Sequence, residues 1–294
     1  MDLVSPPNHI LVLSSQQFGS EACYPTERVF DLLSFGCLAL ANLALHDCLG
    51  FEEFHLASDS VKWLTISTSR ILLKGATICA SNILVFKFIA LIPAVPDTFS
   101  FTTTTSKEWD SHVILSWGKE HPDFDVNARF LKLRRMLKAL SGSRISLSLQ
   151  MNAGPLNNDV DCNHHLLESD HPPVMVENLE LSTRHCRTAS WYSGFTNGLF
   201  RVCRPMHIWG CRLVRQSDIN EHRLSELQFS ILLANESFES VPYFWRHDLE
   251  QVHVGTVDGN IWQLVQWTDL SKLRTRRYGG IMCLKLKWRG QKTA

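Results

Sequence analysis

The sequence has no excess of charge of either sign. Lysine plus arginine and aspartate plus glutamate each number 29, so the formal net charge is zero. A protein that lives on phosphate contacts ordinarily carries a clear basic excess, which argues against nucleic acid as the main partner. An apolar run long enough to span a bilayer is also missing. The two longest, "LLSFGCLALANLAL" (32–45) and "ILVFKFIALIPAV" (83–95), fall short of the ~20 residues a membrane helix needs, and the second contains Lys87 and Pro93. The opening "MDLVSPPNHILVLSS" has no basic n-region, so no secretory signal is expected. The Asn235-Glu236-Ser237 sequon therefore reads as an exposed loop.

Catalytic signatures are absent too. There is no G-x-S-x-G elbow, no Walker A loop and no G-x-G-x-x-G. No C-x-x-C or H-E-x-x-H occurs. The nearest thing to a ligand cluster is "DCNHHLLESDH", with Asp161, Cys162, His164, His165 and His171. Closed zinc sites show regular spacing, which this stretch lacks, so it reads as a histidine-rich polar loop and no metal or cofactor is expected. The nine cysteines are scattered and odd in number. They read as reduced, mostly buried small hydrophobes of a cytoplasmic or nuclear chain.

What is present is a repeat. The 294 residues are 45% apolar and 20% charged, ample for a core. Leu40, Leu43, Leu45 and Cys48 are spaced three, two and three apart, which fits neither a helix face nor plain strand alternation. It does fit the first four slots of L-x-x-L-x-L-x-x-N/C-x-L, the leucine-rich-repeat template. Val61, Leu64, Ile66, Ser69 and Ile71 fill the same frame 21 residues on, and Ile83, Phe86 and Phe88 fill it after 22 more. A later series has Val176, Leu179 and Leu181, then Cys203, Met206, Ile208, Cys211 and Leu213, 27 residues downstream. In this pattern the central L-x-L is a short strand with two apolar side chains on one side, and the strand then enters a corner. Each unit is too thin to bury its own face, so units stack and share a core.

Helix signals lie between the strands. "PTERVFDLLS" (25–34) has Thr26 as an N-cap. "DVNARFLKLRRMLKALSGS" (125–143) carries Phe130, Leu131, Leu133, Met136, Leu137 and Leu140 on one side and stops at Gly142. Its Lys132, Arg134, Arg135 and Lys138 are expected on a solvated face. Helices are also expected in 190–203 and 218–233, and strands at 145–151, 249–254 and 281–288. The basic C-terminus, with Arg274, Arg276, Arg277, Lys285, Lys287 and Arg289, reads as a sheet edge protected by lysines. The nine tryptophans are expected mainly in the core. Two seams interrupt the pattern: the Thr/Ser-rich 96–110, a loop or extended edge, and the polar 152–173, an insertion. The organisation expected is repeats over 1–100, a linker or edge segment over 101–124, and irregular repeats over 125–294.

"LLSFGCLALANLALHDCLGFEEFHL" resembles the plant F-box/leucine-rich-repeat proteins, whose repeats run "GCP-x-L-x-x-L-x-L-x-x-C" into "F-x-x-F/L-x-L". "FLKLRRMLKALSGSRISLSLQM", "VENLELS", "GLFRVCRPMHI", "YFWRHDLEQVHV" and the last strand "LKLKW" are similar to the C-terminal half of that family, in the same order. Leu38 stands where the family has proline, and no "LP-x-x-x-L-x-x-I-L" F-box opening is found. The resemblance implies an α/β fold: a curved ribonuclease-inhibitor-like solenoid, with parallel strands on its concave face and helices outside. It implies a substrate-recognition region like that of an SCF-type ubiquitin-ligase adaptor, binding a protein partner; a monomer is expected, and the missing motifs point away from an enzyme. Without an F-box, binding of a Skp-type adaptor is not expected. Two other readings stay open: a truncated or non-functional fragment, and an α/β hydrolase or transferase without a recognisable motif.

Overall fold

A computed structural model describes residues 9–14, 40–47, 53–68, 73–104, 108–117, 126–151, 172–183, 189–209, 244–256, 262–265 and 282–290. The expected helices at 25–34 and 218–233 lie outside them, as do Cys48, Ser69, Ile71, Cys211, Leu213 and the cluster from Asp161 to His171. The described residues form a mixed α/β fold of fourteen strands and two α-helices.

The strands are β1 (His9–Ser14), β2 (Leu40–His46), β3 (Glu53–Ser58), β4 (Trp63–Thr68), β5 (Gly75–Ala80), β6 (Val85–Leu91), β7 (Thr98–Thr102), β8 (Asp110–Trp117), β9 (Arg144–Met151), β10 (Val174–Thr183), β11 (Cys203–Trp209), β12 (Leu249–Thr256), β13 (Trp262–Val265) and β14 (Met282–Trp288). The helices are α1 (Val126–Ala139) and α2 (Ala189–Val202). A large, mostly parallel sheet has the order β1-β2-β4-β6-β8-β9-β10-β11-β14-β12-β13, and a small one the order β3-β5-β7. Two compact units are found: 1–115 with 135–145, and 116–134 with 146–294.

In the first unit, β1 and β2 pair in the large sheet, and from β2 to β8 successive strands alternate between the two sheets. Leu43 pairs in register with Leu64, and Leu64 with Phe86, on parallel strands. Leu45, Ile66 and Phe88 make the next row. All six are buried. The spacing of three that precedes them has a local cause. At β2 the register slips by one, so that His9 faces Leu40 but Ile10 faces Asn42, and Ala41 is the extra residue. Such a bulge bends the strand and returns the next leucine to the inner side. Val61 and Ile83 fill the same slot from the turns just before β4 and β6, fully buried. The entry points are tied together by the backbone: Lys62 N donates to Ala41 O (2.8 Å), Leu84 N to Lys62 O (2.8 Å), Asp110 N to Leu84 O (2.9 Å) and Arg144 N to Trp109 O (3.0 Å).

The small sheet closes the other side. Phe54 and Leu56 of β3 and Ala76, Ile78 and Ala80 of β5 are buried, in register with one another where the strands pair. Phe99 and Phe101 of β7 reach across to Phe86, with ring centres 6.1 and 5.1 Å away, and Trp109 stacks on Phe101 at 4.8 Å. Gly75 sits beside Thr98, where an added Cβ would meet the threonine Oγ1 at 2.8 Å. The corners between the sheets are polar, with Asp59, Ser81 and Thr103 at successive turns. Asp59 accepts from Ser81 Oγ and, through its carbonyl, from Asn82 Nδ2, while Thr103 Oγ1 donates to Ser81 O. These groups satisfy turn backbone that no ladder reaches. β2 leaves through Asp47, whose φ of 47° lies in the left-handed region that aspartate tolerates better than most residues.

In the second unit, β9, β10 and β11 are parallel, and β14, β12 and β13 continue antiparallel. Leu179 pairs with Leu147 on one side and with Ile208 on the other. The later pair of repeats is therefore offset by 29 residues, not by the expected 27, and Met206 is only half-buried while its neighbour Pro205 is buried. Both offsets put an apolar residue in the slot, which is why spacing alone picks the wrong one. β14 lies between β11 and β12, so Lys285 and Lys287 do not protect an edge.

The helices follow their apolar faces. In α1, Phe130, Leu133, Met136 and Leu137 are buried, as is Leu140 just beyond it, while Leu131 is half-buried. Lys138 and Arg135 are exposed as a solvated face requires, but Arg134 is buried, and so is Arg129 at 1% exposure. Burial lowers the Arg134 guanidinium pKa from its ordinary value. In α2 every residue from Phe195 to Phe200 is buried, so this stretch of the helix is enclosed nearly all round. Phe200 meets Trp245 and Trp288 edge-on at 4.9 and 5.7 Å, and Trp288 Nε1 donates to Pro205 O at 2.8 Å.

Candidate functional site

A strand that buries alternate residues presents the others, so the faces turned away from the core are where side chains can meet a ligand. In the first unit the register assembles this face in rows. Asn42, Trp63 and Val85 form one; Ala44, Thr65 and Lys87 the next; His46, Ser67 and Ile89 the third. Most of these are half-buried, and Trp63 stands out at 40% exposure. Leu91, two residues beyond Ile89 on the same strand, is exposed as well. On the small sheet the outer rows are Glu53-Gly75-Thr98, His55-Thr77-Ser100 and Ala57-Cys79-Thr102, and His55 Nε2 lies 3.3 Å from the Glu53 carboxylate.

The repeat-frame residues lie beneath these faces. Leu40, Leu43, Leu45, Val61, Leu64, Ile66, Ile83, Phe86, Phe88, Leu179, Leu181 and Ile208 are all buried. They hold the strands in phase and are not themselves available to a ligand. The residues that could touch one are their odd-numbered and even-numbered neighbours, which the repeat frame does not mark.

In the second unit one row runs across six strands: Ser146, Asn178, His207, Lys285, His253 and Leu264. Its first half is hydrogen-bonded. Asn178 Nδ2 donates to Ser146 Oγ (3.3 Å) and its Oδ1 accepts from Trp209 Nε1 (2.9 Å). His207 Nδ1 lies 3.2 Å from Glu177 O, which fixes the ring against the backbone. Lys285 is exposed and Leu264 is 55% exposed. Arg204 is engaged elsewhere, in an ion pair with Asp248 and 5.6 Å from the centre of the Trp288 ring.

Three cysteines are described. Cys79 is exposed on β5, whereas Cys203 and Cys283 are buried. Desolvation pushes the Cys203 thiol up to about 12 and the Cys283 thiol up to about 11. Raised values mean that the folded chain keeps protons which an unfolded chain, titrating near 9.0, gives up. The stability linked to them is intact below that pH and is lost as pH climbs towards the folded values. Urea midpoints should therefore fall between pH 8.5 and pH 10.5, and the fall should shrink in a Cys203→Ala/Cys283→Ala chain, as an order-of-magnitude expectation of about 1 kcal/mol or more. Mapped thiol labelling at pH 8 should mark Cys79 in the native protein, and Cys203 and Cys283 only after denaturation.

Among the described residues no three metal-ligating side chains come together, and no helix is long and apolar enough to cross a membrane. No protein-family model matches the chain, and neither a curated protein nor a solved structure matches it.

Proposed function

We propose that the chain is a protein-binding repeat module: a curved leucine-rich-repeat array of the ribonuclease-inhibitor-like kind, receiving a partner on its open strand face. On this reading it resembles the substrate-recognition region of an F-box adaptor of an SCF-type ubiquitin ligase. The observation that carries the reading is the column Leu43–Leu64–Phe86, in register on parallel strands with sequence spacings that match the repeat frame. The backbone bonds at each strand entry and the Asp59, Ser81 and Thr103 corners support it, because they recur with the same coil. Stacked units of this kind contact only their neighbours and lend themselves to extended binding surfaces.

The test uses the full chain joined to an F-box and expressed in plant cells. Proteins that accumulate on proteasome inhibition are compared with those for the F-box alone. A defined set is expected for the fusion, and Trp63→Asp should remove it, since an exposed aromatic on the open face is the kind of residue that anchors a partner. A fusion indistinguishable from the F-box alone, with the chain folded, refutes the adaptor reading.

A further inference from the structure

We infer that the Lys285 row of the second unit is a docking strip for an acidic, extended peptide segment of a partner protein, with one carboxylate on Lys285 and one apolar side chain on Leu264. The inference deepens the binding-module reading and rests on it.

Lys285 is an unmatched charge in a defined place. Next to it on the same face of β14, Lys287 is ion-paired with Glu250 at 3.1 Å. Lys285 has no ion-pair partner among the described residues, and it is exposed. On β11 and β12 its cross-strand neighbours are His207 and His253. Side chains directly opposite one another in an antiparallel pair sit roughly 5 Å apart at Cβ, so an anion bound at Lys285 would meet an imidazole on either side. The row from Ser146 to Leu264 contains no carboxylate. Of the carboxylates close by, Glu250 on β12 is already paired with Lys287, and Glu180 lies in the row of Trp209, two strands from β14.

The strip has borders. Cys283 and Gly255, the next row on β14 and β12, are buried, so the face is covered there. On the other side lies the Lys287–Glu250 pair, already neutralised. What stays open is a lane from His207 through Lys285 and His253 to Leu264.

The distance along the lane sets the ligand. Leu264 is two strands from Lys285, about 10 Å at the usual strand separation, and an extended chain covers that in about three residues. A segment with an acidic residue three positions from an apolar one fits, and an amide in place of the acid does not. A nucleic acid fits less well, because phosphate binding gains from several cations along a track and this lane has one ammonium.

The experiment measures binding of fluorescent peptides to the full chain. The probe is four tandem copies of Glu-Gly-Ser-Leu. The controls carry glutamine for glutamate, or serine for leucine. The Glu/Leu peptide is expected to bind about tenfold more tightly than either control, more so at low salt, and Lys285→Glu should remove about that factor. Leu264→Ser should weaken binding several-fold. A Lys-Gly-Ser-Leu peptide should in turn prefer the Lys285→Glu chain. Both substitutions are at exposed positions, and circular dichroism checks that the chains stay folded. Equal binding of the glutamate and glutamine peptides overturns the inference. So does indifference to Lys285→Glu, or a Lys285-dependent preference for oligothymidine over the peptide. Any of these outcomes, with the Trp63-dependent set of the fusion experiment intact, removes the strip and leaves the binding module standing.

Discussion

Replacing Phe86 by alanine is expected to cost about 3–5 kcal/mol, the usual penalty for emptying a phenylalanine site in a tight core. Phe86 is fully buried and belongs to both layers of the first unit. It follows Leu43 and Leu64 in the large-sheet column, and its ring lies 5.1 Å from Phe101 and 6.1 Å from Phe99 of the small sheet. Its removal opens a cavity between sheets whose other occupants, Phe88 and Ile78 among them, are held by their own strands and cannot simply move in. Domains are stable by only about 5–15 kcal/mol, so a loss of this size is a large share of the whole. Phe86→Leu should cost less, because most of the volume stays. Val85→Ala, one residue away on the half-buried face, should change stability by under about 1 kcal/mol. Urea denaturation followed by circular dichroism measures all three. If Phe86→Ala and Val85→Ala cost the same, the inner and outer faces of β6 have been assigned wrongly.

That contrast between neighbouring residues is the part of the fold most readable in the sequence. Leu43, Leu64 and Phe86 recur with a spacing that only a strand stacked on strands explains, and the bulge at Ala41 accounts for the irregular step before it. The partner layer is much harder to read. β5 is "GATICA", with alanines at two of its four buried positions and glycine at a third, so it has little hydrophobic contrast between its faces. β7 is "TFSFT", inside a Thr/Ser-rich stretch, and its phenylalanines alternate over too few residues to stand out. It lies at one edge of the small sheet.

The candidate surface was less legible still, for a topological reason. His207, Lys285, His253 and Leu264 are neighbours only because β14, the last strand in sequence, inserts between β11 and β12. No spacing rule brings position 285 beside 207 and 253. Charge patterning alone made Lys285 an edge-protecting lysine, and only the strand order makes it an interior one with an open face. Arg134 and Arg129 teach the complementary lesson. Arg134 is expected in solvent with Lys132, Arg135 and Lys138, yet it is buried, and so is Arg129, which the charge pattern does not single out; the apolar stripe is wider than its sequence pattern implies.

Trp117→Ala should destabilise the second unit by about 3–5 kcal/mol, as large aromatic truncations in cores do. Trp117 joins Phe130 of α1 and Phe195 of α2 in a three-ring cluster, with centres 5.3, 5.0 and 5.7 Å apart around the triangle. Arg129 lies over the same ring, 5.6 Å from its centre, and is almost wholly buried. A guanidinium removed from water gains from an aromatic face by roughly 2 kcal/mol, far more than at an exposed site. Truncating Trp117 therefore takes away both the packing of two helices and one of the contacts that make a buried cation tolerable. The two contributions separate in a double-mutant cycle of Trp117→Leu with Arg129→Met, in which volume is largely kept and the cation–ring pairing is lost. A coupling of about 1–2 kcal/mol is expected. Additivity to within about 0.5 kcal/mol would show that Arg129 is held by its other contacts and that the ring serves only as filler.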